Sequence, residues 1–159
     1  MKKFYYLGEK NIKKKIIALL TTLFVTGICS VPAFATSDSA STNAFNGKLT
    51  SNVWIQSLSD ANGTGDFQVS AHYSGTDPYH AEWIKTSWSF YSIGGSVSWN
   101  GAGVSGSGSS TGSSWTNYNA SDASFRGRVA GNGLCLYVGC NNTATMFARG
   151  KTYSTLAKV

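Results

Sequence analysis

From residue 45 onward, short apolar runs alternate with polar residues and are broken by Gly, Asn and Asp. Phe67, Val69, Ala71 and Tyr73 fall on one side of an extended chain, and Gln68, Ser70 and His72 on the other. That period of two predicts a half-buried strand. Residues 49–58 (LTSNVWIQSL), β-branched and aromatic at their centre, predict another. Between them, residues 59–66 (SDANGTGD) carry turn chemistry, strongest at Asn62-Gly63, so the two runs predict a hairpin. Residues 74–78 (SGTDP) close it.

Residues 80–93 are rich in aromatics. His80, Trp83, Ile84 and Ser87 have helical spacing, so a helical turn over 79–86 competes there with a strand. From Ser87 the alternation is β-like, with Trp88 and Phe90 opposite Ser87, Ser89 and Tyr91. Gly94-Gly95 interrupts this run, and Val97 and Trp99 share a face beyond it. Residues 101–114 (GAGVSGSGSSTGSS) have no hydrophobic period and fit either a flexible loop or a thin hairpin. A short strand resumes at Trp115–Tyr118, and residues 125–156 predict an antiparallel meander. The total is seven to nine strands, which predicts an all-β fold, a small antiparallel β-sandwich.

Upstream of this pattern the chain changes character. Six lysines and Glu9 precede an apolar run from Ile16 to Ile28, and Ala33-Phe34-Ala35 follows. That order predicts a signal peptide over residues 1–35, cleaved before Thr36, and a secreted product. Ile28 is too bulky before Cys29 for a lipoprotein site. Residues 36–44 are small and polar and predict a flexible tail, leaving 45–159 as the sandwich domain. The formal charge of the whole chain is +6. Downstream of residue 35, seven basic residues face six acidic ones, a net charge of about +1. The basic character therefore belongs to the leader and is no argument for nucleic acid, which is not expected as a partner.

Chemistry is sparse. Cys135 and Cys140 are the only cysteines after the leader, and in an exported chain they are expected to pair. Pairing over four intervening residues requires a bend, placed at Val138-Gly139-Cys140-Asn141. The spacing is neither a redox CxxC nor a zinc pattern. His72 and His80 are the only histidines, and the HxE at 80–82 falls short of three ligands without an HExxH. No metal and no cofactor is expected. The Gly-Ser stretches of residues 101–114 lack the strand-to-helix context of a nucleophile elbow, and no persuasive carboxylate pair is present, so no catalytic residue is assigned.

Two groups remain. Trp83, Trp88, Tyr91, Trp99 and Trp115 are expected to contribute both to the core and to an exposed binding surface, since exposed Trp and Tyr stack on sugars or anchor at membranes. Arg126, Arg128, Arg149 and Lys151 are expected to form a basic patch across the meander, suited to an anionic partner. The leading expectation is a secreted, non-catalytic binding protein recognising an extracellular glycan, cell-wall or protein partner through exposed aromatics. One alternative is a bacteriocin-like or pore-forming toxin acting on anionic membranes through residues 94–115. The other is a small secreted hydrolase.

Overall fold

The computed structural model describes residues 35–56, 58, 63–75 and 80–159, which lie within one unit, Ala33–Val159. The expected leader falls outside them apart from Ala35, as do residues 59–62 and 76–78 of the two expected turns and residue 79 of the expected helical turn. Among the described residues there are eight strands and no helix. They are β1 (Thr36–Ala44), β2 (Gly47–Ile55), β3 (Thr64–Tyr73), β4 (Ala81–Gly101), β5 (Val104–Gly108), β6 (Ser110–Ala120), β7 (Asp122–Ala148) and β8 (Lys151–Lys158).

The fold is built on a two-stranded ribbon. β4 and β7 pair antiparallel from Trp83↔Phe147 to Asn100↔Arg128. The register slips at Ile93/Gly94 and again at Gly94/Ser96, and bulges of this kind bend a strand. Glycine is required there: a Cβ on Gly95 would lie 1.9 Å from the carbonyl oxygen of Asn132. Folding the ribbon at this point creates two layers. The first runs β1-β2-β3, then residues 122–131 of β7, residues 97–101 of β4, and β5. The second runs β6, residues 81–93 of β4, residues 137–148 of β7, and β8.

The layers meet through aromatic rings. Phe67 of β3 sits edge-on to Phe90 of β4 at 4.8 Å, and Trp88 stacks on Phe125 of β7 at 4.4 Å. Aliphatic side chains such as Val53, Val69, Val97 and Val129 complete this half of the core. A second half, nearer the β1–β2 and β7–β8 turns, holds Leu49, Tyr73, Ile84 and Met146. The expected inner face of β3, at 67, 69, 71 and 73, is buried throughout. Ser51, Thr86 and Asn142 are the buried polar residues among those described.

Several elements depart from the sequence reading. Residues 36–44, read as a polar tail, are β1, paired over its whole length with β2. Asp38 at its edge accepts a bond from the Lys158 backbone N–H at 2.9 Å, drawing β1 towards β8. Residues 81–86 are strand, not helical turn. Of the two readings of the low-complexity segment the hairpin holds: β5 pairs back on β4, and after a bend at Ser109 β6 continues along the same strand.

The expected disulfide is absent, and Cys135 and Cys140 are free thiols. Residues 138–141 continue β7 where a turn was expected, and the bend falls earlier, against Gly94 and Gly95. Cys135 faces Gly94 and Cys140 faces Phe90. Extended chain separates them by roughly 13–17 Å, about twice the reach of a disulfide.

Candidate functional site

A strand in a sandwich turns alternate residues to the core and to the outside. On β4, Ile84, Thr86, Trp88 and Phe90 are buried, so Trp83, Lys85, Ser87, Ser89 and Tyr91 form the outer face. Neighbouring strands extend each of these positions into a row. Tyr118 of β6, Trp83 of β4, Phe147 of β7 and Thr152 of β8 are consecutive register partners. Trp83 and Phe147 are parallel to within 8° at 6.1 Å, and Tyr118 at the edge is 73% exposed. The adjacent row is Thr116, Lys85, Thr145 and Ser154, and the next is Ser114, Ser87, Thr143 and Leu156. The Lys85 ammonium lies 5.8 Å from the Trp83 ring centre, within cation–π range. The second layer thus presents an aromatic row roughly 10 Å long, backed by rows of hydroxyls around one ammonium.

The expected aromatic group is divided between surface and core. Trp83 and Tyr91 belong to this outer face, and the Tyr91 hydroxyl donates to the Val159 carbonyl at 3.2 Å. Trp88 (3% exposed) and Trp99 (4%) are core residues. The Trp88 indole N–H has no hydrogen-bond partner among the described residues, while Trp99 donates to the Thr111 hydroxyl at 3.2 Å. Trp115 is exposed and leans over Phe125 at 6.3 Å, covering the edge of the core.

The basic residues also separate. Arg126 and Arg128 lie opposite Gln68 and Asp66 in the first layer, with Arg128 3.7 Å from the Asp66 carboxylate. Arg149 lies in the β7–β8 turn and Lys151 begins β8, at the far end of β7's other half. The fold of the ribbon puts the two pairs in different layers. Arg128 instead joins Trp99 in lining a concavity of about 430 Å³ on the first layer, with Thr64, Ser98, Asn100 and Ser105. Arg149 lines a smaller one of about 150 Å³ with Phe45, Tyr73, His80 and Glu82. There its guanidinium lies 5.5 Å from the Phe45 ring centre, and its backbone N–H donates to Glu82 at 3.1 Å. His72 bonds Asp122 at 2.6 Å and His80 bonds Ser121 at 3.0 Å. Among the described residues no group of three His, Cys, Asp or Glu side chains converges as a metal site.

The bend of the ribbon carries a feature the sequence did not single out. Ile93 (56% exposed), Leu134 (89%) and Leu136 (64%) project there beside Tyr137. Tyr137 pairs with Ile93 and has its ring 6.0 Å from that of Tyr91. Partial burial and the Tyr91 phenol push the Tyr137 hydroxyl above its ordinary pKa. Tyr118, Phe147 and these leucines were not legible as a surface because their grouping depends on strand register. No protein family, curated protein or solved structure matches the chain.

Proposed function

We propose that the protein is secreted and acts by binding, without catalysis, to an extended extracellular glycan of the cell-wall type. The observation that carries this reading is the register row Tyr118–Trp83–Phe147, flanked by the hydroxyl row with Lys85. Apolar ring surfaces receive the C–H faces of sugars, while hydroxyls and an ammonium receive their oxygens. A polymer suits such an open face better than a single small ligand, which favours an enclosing cavity. Secretion is supported by the leader pattern and by β1 starting at Thr36, directly after the expected cleavage site. The free cysteines lend it no support.

Co-sedimentation with insoluble peptidoglycan and chitin tests the proposal. Trp83→Ala and Tyr118→Ala are each expected to weaken retention by roughly tenfold, as truncation of a central aromatic anchor does. Retention unchanged in both folded variants would refute this site.

One observation favours a second reading, contact with a bilayer. The apolar tip at Ile93, Leu134 and Leu136 belongs to two uncharged stretches, residues 86–121 and 129–148, which include its supporting strands. Apolar side chains above a tyrosine pair suit the membrane interface. On this reading the contact would lie at the ribbon bend and not along residues 94–115 as a whole. Flotation with phosphatidylcholine and phosphatidylglycerol vesicles tests it: the wild type floats and Leu134→Ser/Leu136→Ser does not. A wild type that stays at the bottom of the gradient with both lipids excludes it.

A further inference from the structure

An edge strand offers one row of unpaired backbone N–H and C=O groups, and proteins normally defend it with charge, proline, a bulge or brevity. β5 is five residues long, β8 carries Lys151 and Lys158, and β1 is drawn to β8 by the Asp38 bond. β6 has none of these defences. It runs for eleven residues, STGSSWTNYNA, with no charge and no proline, and its pairing with β4 shows no register slip. The Ser92 N–H bonds the Ser109 carbonyl at 3.1 Å, which sets the phase of the ladder. In an antiparallel pair the bonded positions alternate. Odd-numbered residues of β6 therefore bond to β4, and Ser110, Gly112, Ser114, Thr116 and Tyr118 direct their N–H and C=O groups outward. Among the described residues β6 has β4 as its one ladder partner.

We propose that this edge pairs with the β6 edge of a second copy of the chain, antiparallel, about a two-fold axis at Trp115. The strand is self-complementary in that register. Gly112 and Tyr118 are each three residues from Trp115, so each exposed Tyr118 lies across from a partner glycine that leaves room for its ring. Ser114 faces Thr116 in both directions, and no like charges meet. Trp115 faces its own copy in a non-bonded pair, where Cα atoms are about 4.5 Å apart. The second layers of the two copies would join into one continuous sheet. This inference does not rest on the glycan reading.

Light scattering after size exclusion should give twice the chain mass at about 100 µM, a concentration that saturates a micromolar interface. Ser114→Lys, which sets two lysines beside the axis, should halve the mass with an unchanged circular dichroism spectrum. Register is read by a Trp115→Cys/Cys135→Ser variant, expected to form a reducible cross-linked dimer under mild oxidation, since that Cα spacing is within disulfide reach. A Thr111→Cys/Cys135→Ser variant, four positions off the axis, should not. A monomeric wild type, a Ser114→Lys variant that stays dimeric, or equal cross-linking at 111 and 115 would overturn the proposal.

Discussion

Asn142 extends from β7 in the second layer and donates from its side-chain amide to the backbone carbonyl of Ser70, on β3 in the first, at 3.0 Å. The same amide nitrogen lies 2.9 Å from the Asn52 carbonyl and 3.0 Å from the Ser51 hydroxyl. The Asn142 Oδ1 accepts from the Thr86 hydroxyl at 2.7 Å, and its backbone carbonyl accepts from Ser51 at 2.7 Å. One fully buried amide therefore fixes how the two layers sit on each other. Burial is tolerable because both ends of the amide are bonded.

Removing that amide leaves several buried groups without partners. Asn142→Leu is expected to destabilise the fold by about 3 kcal/mol, and Thr86→Val, which orphans one acceptor, by about 1–2 kcal/mol. Urea unfolding of the two variants checks the order. An Asn142→Leu variant as stable as the wild type would show that the contacts do not join the layers.

Cys140 makes stability fall in alkali. Burial raises its thiol from an ordinary value of 9.0 to about 12, and a Ser89 backbone hydrogen bond lowers it only in part. Between those values the unfolded chain has lost the proton and the folded chain retains it, so stability decreases as pH rises. The slope approaches 1.4 kcal/mol per pH unit while the two states differ by one proton. Cys140→Ala should flatten the decline in melting temperature above about pH 9 relative to the wild type. A parallel decline in both proteins would contradict the assignment.

The two thiols should also differ in reactivity. Cys135 is half-buried and Cys140 fully buried. Mass spectrometry after iodoacetamide treatment of the native protein should find Cys135 alkylated and Cys140 protected, with both modified in denaturant. An unlabelled pair that becomes reactive only after reduction would restore the disulfide.

The ribbon bend predicts a contrast between two glycines. Gly95→Ala drives a Cβ into the Asn132 carbonyl and should cost several kcal/mol or prevent folding, since the obstacle is backbone. Gly150 has φ +75° but nothing within 4 Å of its added Cβ, so Gly150→Ala should cost about 1–2 kcal/mol. Thermal unfolding of both tests whether the bend is the tighter constraint.

The alternation at Phe67–Tyr73 was readable because both faces are written in the local sequence. The all-β sandwich followed from many such runs. Residues 101–114 were not readable, since Gly and Ser carry no period and become β5 and β6 through β4. The tryptophans show the same limit: Trp83 and Trp88 lie on opposite faces of one strand, and only the partner layer decides which is core. The bend at Gly94-Gly95 likewise depends on contacts with distant residues. Tyr118 and Phe147 become one surface with Trp83 only through register.

The glycan reading is tested most directly by ¹H–¹⁵N chemical shift mapping during titration with soluble peptidoglycan fragments. The expected result is a set of saturable shifts at Trp83, Lys85, Thr116, Tyr118, Thr145 and Phe147, including the Trp83 indole N–H. Shifts confined to Ser98, Asn100 and Arg128 in the first-layer concavity, or none at all, would contradict it.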